Sequence, residues 1–265
     1  NDWLYLGANI NVSSVEYRLI TSTKETGYLP ESFIQETYFQ NELYTYGGGV
    51  SLQFGAIARP NKNVRLGISY KTPTWYELND EFSQYLETKS TDSDGNSYND
   101  VIDLTDVINV YESYTIKTPS EFRGSLAYIF GKRGILSFDY SLKDYQNSHI
   151  GPNDNDVFIA LNNQIDQNWR LVSNFRVGGE YRLGGLSFRA GYHLEESQYN
   201  NKKLLGDSSG SSYGIGLNFK SSIVNLSILN INQSRSHQLY DTGLSDLAEN
   251  NINFKHFTVG WNLKF

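Results

Sequence analysis

Hydrophobic and polar side chains alternate along much of this chain. The run Phe257–Phe265 shows the pattern most simply, with Phe257, Val259, Trp261, Leu263 and Phe265 on one side and polar residues or glycine on the other. A period of two predicts a β-strand with one apolar and one polar face. A soluble sandwich strand could share this alternation. An aromatic residue at the very end, on the apolar face, is typical of the closing strand of an outer-membrane β-barrel.

Similar runs predict about ten strands along the chain. The predicted strands are Trp3–Leu19, Tyr38–Ala58, Val64–Tyr76, Tyr111–Phe130, Ile135–Tyr145, Asn168–Leu183, Leu186–Ser197, Ser211–Lys220, Ile223–Ser234 and Phe257–Phe265. Pro73 lies inside the third of these strands and predicts a bulge there, because proline cannot donate to the ladder.

The predicted connectors alternate between long and short. The short turns are 59–63, 131–134, 184–185 and 221–222, and the long connectors are Thr21–Glu36, Glu77–Val110, Gln146–Asp166, Asn200–Ser209 and Gln238–Asn251. A Greek-key sandwich gives no reason for this regularity, whereas an outer-membrane barrel has short periplasmic turns and long extracellular loops. The predicted fold is therefore an all-β, antiparallel, up-and-down transmembrane β-barrel in the bacterial outer membrane, with residues 1–265 as one domain.

Composition is consistent with this fold. Hydrophobic residues make up 38% of the 265 residues and the mean hydropathy is -0.49, and no apolar run approaches the roughly 20 residues of a spanning helix. Aromatic residues make up 14%, which favours strands. The net charge of -7 argues against a nucleic-acid partner, and the absence of cysteine excludes a disulfide framework and thiolate chemistry.

A second set of residues is charged and lies on the polar side of the predicted strands. It consists of Arg65, Arg123, Asp139, Arg176, Glu180, Arg182, Arg189, His193 and Glu195. Arginine at bilayer depth on the lipid face costs about 2–4 kcal/mol, so these side chains are expected in the lumen. Either they pair with one another and fill the barrel, or they contact a substrate.

The segment Phe54–Tyr70 resembles the FadL-type outer-membrane transporters of long-chain fatty acids and other hydrophobic compounds. It consists of a strand, a Pro/Asn turn and a strand with the pattern Arg-x-Gly-x-x-Tyr, and Lys71–Tyr76, Asn174–Leu183 and Leu186–Tyr192 are similar to later hairpins of that family. That family has about fourteen strands and an N-terminal plug. The resemblance therefore implies either the C-terminal ten strands of a larger barrel, which we favour, or a shortened relative.

The resemblance also implies that the connector Thr21–Glu36 and the connector after Glu77 correspond to extracellular loops that capture substrate in an apolar groove. The candidate groove residues are Leu29, Phe33, Ile34, Phe82, Tyr85, Leu86, Ile102, Leu104, Val107 and Ile108. Apolar residues in such loops need an explanation, because loops are otherwise polar. The alternative is that they pack the loops against each other.

Catalytic and metal-binding motifs are weak in this sequence. Oxygen ligands in a calcium-type spacing occur at Asp92, Asp94, Asn96, Asp100 and Asp103, but Ser97 stands where the loop needs glycine, so a solvated acidic loop is the preferred interpretation. The histidines lack metal-ligand spacing and no Gly-x-Ser-x-Gly elbow is present. We therefore expect neither cofactor, metal nor enzyme activity.

The expected function is passive outer-membrane uptake of hydrophobic small molecules such as long-chain fatty acids. The expected partners are outer-membrane lipid and a hydrophobic ligand. One alternative is a barrel that scaffolds other envelope or secretion proteins, and a less favoured one is a surface protease or lipase.

Overall fold

The structure, a computed structural model, describes residues 3–27, 29, 32–219, 221–238 and 246–263. Fourteen strands form one antiparallel sheet. They are β1 (Leu4–Thr26), β2 (Ile34–Ala58), β3 (Val64–Lys71), β4 (Trp75–Thr91), β5 (Ser97–Val110), β6 (Tyr114–Lys117), β7 (Glu121–Ile129), β8 (Gly134–Asp144), β9 (His149–Gly151), β10 (Leu171–Leu183), β11 (Leu186–Glu195), β12 (Ser208–Asn218), β13 (Ser222–Gln238) and β14 (Leu247–Leu263). Helix α1 (Asp156–Asn168) lies between β9 and β10.

These strands trace ten paths across the sheet. A path here is a line of strands that follow end to end across the sheet. Strands β3 and β4 together form the path next to β2, strands β5, β6 and β7 form the following one, and strands β8 and β9 form the one after that. Each path pairs with the paths before and after it in sequence, which is the up-and-down order predicted. Within the described residues, β1 pairs with β2 and β14 with β13, and the sheet is open between β1 and β14. The all-β fold class is confirmed.

Three predicted long connectors are wrong in part, because strands continue through them. The predicted connector Thr21–Glu36 is largely strand, since β1 continues to Thr26 and β2 begins at Ile34. The predicted connector Glu77–Val110 is the β4–β5 hairpin. Of the predicted loop Gln238–Asn251, residues 247–251 belong to β14, while residues 239–245 lie outside the described part.

The predicted connector Gln146–Asp166 contains strand β9 and most of helix α1. Asn155 caps this helix, because its side chain accepts hydrogen bonds from the backbone N–H of Val157 and of Phe158. The side chain of Asn162 bonds both the N–H (2.9 Å) and the C=O (2.8 Å) of Ile150 in β9. The helix thereby satisfies the backbone of Ile150 at an edge of β9 with which no strand pairs among the described residues.

The register places one apolar face on the outside of the sheet. Outward-facing residues that are also exposed include Leu6, Ile10, Val12, Phe54, Ile68, Phe122, Leu126, Leu136, Phe138, Val177, Phe188, Ile215, Leu226, Val259 and Trp261. Among the described residues only Leu78, Ile165 and Val172 are buried hydrophobics. A single-layered sheet without a core leaves its apolar face uncovered by protein, and lipid is the environment that covers such a face.

Aromatic side chains lie at both margins of this outer belt. Near the short turns are Tyr128, Phe130, Tyr181 and Phe188, and toward the long connectors are Tyr70, Phe122, Phe175, Tyr192 and Phe257. Two aromatic girdles are typical of outer-membrane barrels. The alternation predicted for the last strand holds for Phe257, Val259, Trp261 and Leu263, all more than half exposed, whereas Phe265 lies outside the described residues.

A line of strand breaks crosses three neighbouring paths, and we call residues 72–74, 118–120 and 145–148 the crease. Lys71 lies opposite Gln53 and Trp75 opposite Val50, so one extra residue is inserted at Pro73. The predicted bulge is therefore confirmed. A matching break occurs at Pro119 on the next path, between β6 and β7. As a result, even-numbered residues face outward on β3 and β7 but inward on β4 and β6.

Candidate functional site

The predicted lumen residues lie on the inner face of the sheet, opposite the apolar belt. Glu180 is the centre of one cluster: its carboxylate accepts a hydrogen bond from Arg182 and lies 2.6 Å from Nε of Arg189. Arg189 also donates to Oδ1 of Asn225 at 2.8 Å. The two arginines thus share one carboxylate, and the cluster keeps a net positive charge.

Two more clusters lie farther from the short turns. Arg176 contacts Glu195 at 2.6 Å and lies between His193 and Asp139 in the register. Asp139 in turn accepts a hydrogen bond from Ser125.

The third cluster is built on Glu121, which binds Arg123 at 2.6 Å and Lys143 at 3.7 Å. Arg65 joins none of the clusters, because its guanidinium donates to backbone carbonyls of Asn61, Lys62 and Val64 around the first short turn. The inner face is thus charged but largely paired, apart from Arg65.

Above the belt, that is, on its side toward the long connectors, the outer face of the sheet becomes largely polar and the inner face becomes apolar. On β1 and β2 the outward positions become polar: Arg18 binds Glu42 through two hydrogen bonds of 2.6 and 2.9 Å, and Tyr44 donates to Glu16 at 3.2 Å. The hydrogen bond from Arg18 holds the pKa of Glu42 below its usual value. These outward side chains suit water rather than lipid.

The inward positions at the same level become apolar. We call this set the inner stripe, and it consists of Val15, Leu19, Phe39, Leu43, Leu78, Phe82, Leu86, Ile102 and Leu104. Leu78 is 6% exposed and packs over Gly47, where a Cβ would lie 2.9 Å from Cδ2 of Leu78. The absence of a side chain at Gly47 therefore lets β4 lie tightly on β2.

The structure divides the predicted groove residues into four groups. Phe82, Leu86, Ile102 and Leu104 share the inner stripe, whereas Tyr85 points to the other face and donates to Glu87. Leu29, Phe33 and Ile34 are exposed at the tip of the β1–β2 hairpin, and Val107 and Ile108 are exposed in β5. The backbone N–H of Thr91 donates to the C=O of Phe33 at 2.8 Å, which joins the tips of the two hairpins.

Sequence reasoning missed the inward apolar residues of the last two strands. Leu229 and Ile231 on β13 lie opposite His256 and Phe254 on β14, and Ile252 follows on the same face. The signal is a change of phase. On β13 the apolar residues Val224, Leu226 and Ile228 are even-numbered, whereas Leu229 and Ile231 are odd-numbered, so the apolar side switches faces after Ile228.

Helix α1 also contributes to the inner side of this upper region. The ring of Phe158 lies 6.1 Å from the ring of Tyr114, and Tyr114 donates to Asp80 at 3.3 Å. Asp80 accepts a second hydrogen bond from Thr45 at 2.6 Å. The upper region of the sheet is therefore built from strands and a helix rather than from irregular loops.

The calcium-type loop forms a tight turn whose carboxylates do not converge. The carboxylate of Asp92 accepts hydrogen bonds from the backbone of Asp94 and Asn96, from the Asn96 side chain and from Tyr98, at 2.8–3.0 Å. Asp103 instead bonds Thr105. Among the described residues no group of three or more acidic, histidine or cysteine side chains could hold a metal ion.

A meandering antiparallel sheet with an apolar outer belt, two aromatic girdles and a polar inner face defines the wall of a transmembrane β-barrel. Among the described helices, none is both long and apolar enough to cross a membrane. No family model and no curated protein sequence matches the chain.

Solved structures show the same fold. A FadL homologue of Pseudomonas aeruginosa matches with a TM-score of 0.61 and 13% identity, over 98% of this chain and 64% of that one. The toluene transporter TodX of P. putida matches with a TM-score of 0.55 and 14% identity, over 100% and 66%. The CymD monoaromatic hydrocarbon channel matches with a TM-score of 0.52 and 14% identity, over 100% and 70%. The chain thus spans about two thirds of the length of these FadL-like structures, and it shares their fold.

Proposed function

We propose that this chain forms ten neighbouring strands of a FadL-type barrel in the bacterial outer membrane and that the barrel admits hydrophobic small molecules by passive diffusion. The observation that carries this proposal is the exchange of faces above the belt. A hydrophobic molecule arriving from water would find the inner stripe on the inside of the upper sheet, whereas Glu16, Arg18 and Glu42 make the outside of β1 and β2 polar at that level. This arrangement favours entry into the barrel over adsorption to its outer wall.

The cargo class follows from the inner stripe. Its side chains are aliphatic or phenyl groups, which bind hydrocarbon through burial of apolar area and give no directional hydrogen bonds. Both acyl chains and monoaromatic rings suit such a surface. The structural neighbours support this range, since they include a FadL homologue, a toluene transporter and a monoaromatic hydrocarbon channel.

The same proposal places this chain in a larger barrel of about fourteen strands, as residues 1–265 of its wall. Within the described residues β1 and β14 each pair on one side only. A bilayer contains no water to satisfy an unpaired edge, so both edges require strand partners there.

Charging the inner stripe tests the proposal. Cells that depend on the full protein for uptake of a labelled fatty acid or toluene are compared with cells carrying Phe82→Asp together with Leu86→Asp. Uptake is expected to fall roughly tenfold, because two carboxylates raise the cost of apolar contact. The matched control is Tyr85→Asp, which places a carboxylate on the same strand but on the opposite face.

The control is expected to keep most of the uptake. Barrel assembly is monitored in parallel by comparing the gel mobility of heated and unheated protein, so that loss of folding is separated from loss of transport. Unchanged uptake in the assembled double variant, or equal loss in the control, contradicts capture on the inner stripe.

A further inference from the structure

The two ends of the sheet carry opposite charge. We define the turn rim as residues 59–63, 130–134, 183–186 and 218–222. Among its described residues, Arg59, Lys62, Lys132 and Arg133 are cations, and none is an aspartate or a glutamate. The opposite end is acidic and carries Asp92, Asp94, Asp100, Asp103, Asp154, Asp156 and Asp166. The basic rim directly adjoins the lower margin of the apolar belt.

Backbone hydrogen bonds join the turns into a continuous rim. The N–H of Arg59 donates to the C=O of Trp3 at 2.6 Å, and that of Ile129 donates to Asn63 at 2.7 Å. The N–H of Arg182 donates to the C=O of Arg133, also at 2.6 Å. The cations on neighbouring turns are therefore held at one level.

Lys132 and Arg133 are two adjacent and available cations of the rim. Both are exposed, and neither forms an ion pair with a described residue. Arg59 is already engaged, since it donates to the hydroxyl of Tyr5 and lies 4.4 Å from the centre of that ring. The turn that carries Lys132 and Arg133 begins at Phe130, whose C=O accepts from the N–H of Arg133 at 3.0 Å.

A hollow in the outer apolar belt lies directly above this turn. Its floor consists of Gly179 and Ala190, two small residues in an outward row that otherwise holds Leu136 and Tyr213. The hollow measures about 700 Å³, and its lining includes Phe130, Leu136, Val177, Tyr181, Phe188 and Tyr192. The hollow is shallow and open, which suits an acyl chain lying along the wall rather than a small molecule enclosed by protein.

We propose that the hollow and the adjoining turn form a binding site for an anionic phospholipid. The phosphate lies against Lys132 and Arg133, and an acyl chain lies in the hollow over Gly179 and Ala190. The two halves select the ligand together, because free phosphate leaves the hollow empty and a neutral hydrocarbon leaves the cations unpaired. The site rests on the proposed placement of this face in a bilayer.

The test measures lipid retention on the full protein. Purified protein in micelles is titrated with dioleoylphosphatidylglycerol or dioleoylphosphatidylcholine, and bound lipid is counted by native mass spectrometry. The expected result is a preference for phosphatidylglycerol of roughly tenfold that weakens with salt. Lys132→Gln with Arg133→Gln is expected to abolish the preference, and Ala190→Leu, which fills the hollow, is expected to reduce retention of phosphatidylglycerol several-fold.

The matched control is Lys203→Gln with Lys255→Gln. It also removes two positive charges, but at positions outside the turn rim, and it is expected to keep the preference for phosphatidylglycerol. Inorganic phosphate in the millimolar range is expected not to displace the lipid. Retention that is equal for the two lipids, or unaffected by the Lys132/Arg133 and Ala190 changes, overturns the site.

Reconstitution separates this proposal from the proposed function. If the protein inserts into vesicles and takes up toluene or fatty acid without lipid preference, only the lipid site is wrong. If it inserts into no bilayer of either lipid, both proposals are wrong.

Discussion

At the scale of single residues, the turn that joins β4 to β5 depends on one carboxylate. The backbone and side chain of Asn96, the backbone of Asp94 and the hydroxyl of Tyr98 all donate to Asp92, and Gly95 takes the positive φ (84°) that the turn requires. The side-chain hydrogen bond from Asn96 is the main reason that the pKa of Asp92 lies below its usual value.

This turn is therefore expected to loosen in acid. Because the folded pKa is lower than the unfolded pKa of about 3.9, the stabilisation is fully present above that value and is lost as the pH falls through the folded pKa. Amide hydrogen exchange at Asn96 and Tyr98, measured between pH 5 and pH 2, should accelerate beyond its intrinsic pH dependence as Asp92 is protonated.

Asp92→Ala should remove this extra pH dependence. Asp94→Ala serves as the control, since Asp94 contributes its backbone N–H to Asp92 and keeps it after the substitution. The same profile in Asp92→Ala and the parent protein would contradict the role of Asp92.

At the scale of elements, the crease shows how a sheet tolerates proline. The N–H of Leu52 donates to Oγ1 of Thr72 at 3.0 Å, and the N–H of Thr74 donates to Oγ1 of Thr118 at 2.9 Å. Each hydroxyl precedes a proline in a repeated Lys-Thr-Pro sequence, Lys71–Pro73 and Lys117–Pro119. Threonine hydroxyls thus replace part of the hydrogen bonding that regular strands would supply.

Thr118→Val keeps the shape of the side chain but leaves the N–H of Thr74 without its acceptor. Thr74 is 3% exposed, so water cannot easily replace the bond, and the expected loss of stability is about 1–3 kcal/mol. Thermal unfolding in micelles measures this loss. Thr115→Val, on an exposed position of β6, is expected to have little effect, and an equal shift in both variants would contradict the argument.

At the scale of the whole molecule, the orientation of the wall in lipid rests on which face is apolar. Val259 is 74% exposed and lies opposite Leu226 in the outer belt, whereas Thr258 lies opposite Ser227 on the inner face. Adjacent residues of one strand therefore have different surroundings in the proposed bilayer.

Val259→Arg should hinder folding into bilayers by about 2–4 kcal/mol, because the guanidinium must then lie in hydrocarbon. Thr258→Arg places the same group in the lumen and should fold nearly as the parent protein does. Folding into lipid vesicles across a urea series gives both values. Equal costs at the two positions would show that the outer belt does not face lipid.

Period-two alternation carries enough information to predict the fold class, the number of paths and the turns at the short end, since each strand in the belt has one lipid-facing side. It fails in the upper region for a physical reason. Once a strand leaves the bilayer, polar residues such as Glu16 and Arg18 take the outward positions, so the continuation of β1 looks like a polar loop. Helix α1 is short, and its residues Val157, Phe158, Leu161 and Ile165 give only a weak helical period.

The candidate site was predicted less completely. Phe82 and Leu86 could be named because they are apolar within a polar segment, but whether they share a face with Tyr85 depends on the register of β4. The bulge at Pro73 could be predicted, but the sequence did not show that its extra residue turns the even-numbered side chains of β4 inward, opposite to those of β3. The ion-pair partners of Arg176 and Arg189 likewise depend on cross-strand register, which alternation does not specify.

The length of β2 has a consequence for where cargo is first met. With 25 residues at about 3.3 Å each, β2 is about 80 Å long, whereas about 9–11 residues suffice to cross a bilayer. More than half of the strand therefore projects beyond the hydrocarbon in the proposed orientation, even after allowance for tilt. Phe39 and Leu43 then lie well above the lipid headgroups, so a sparingly soluble molecule would reach the inner stripe before it reached the membrane surface.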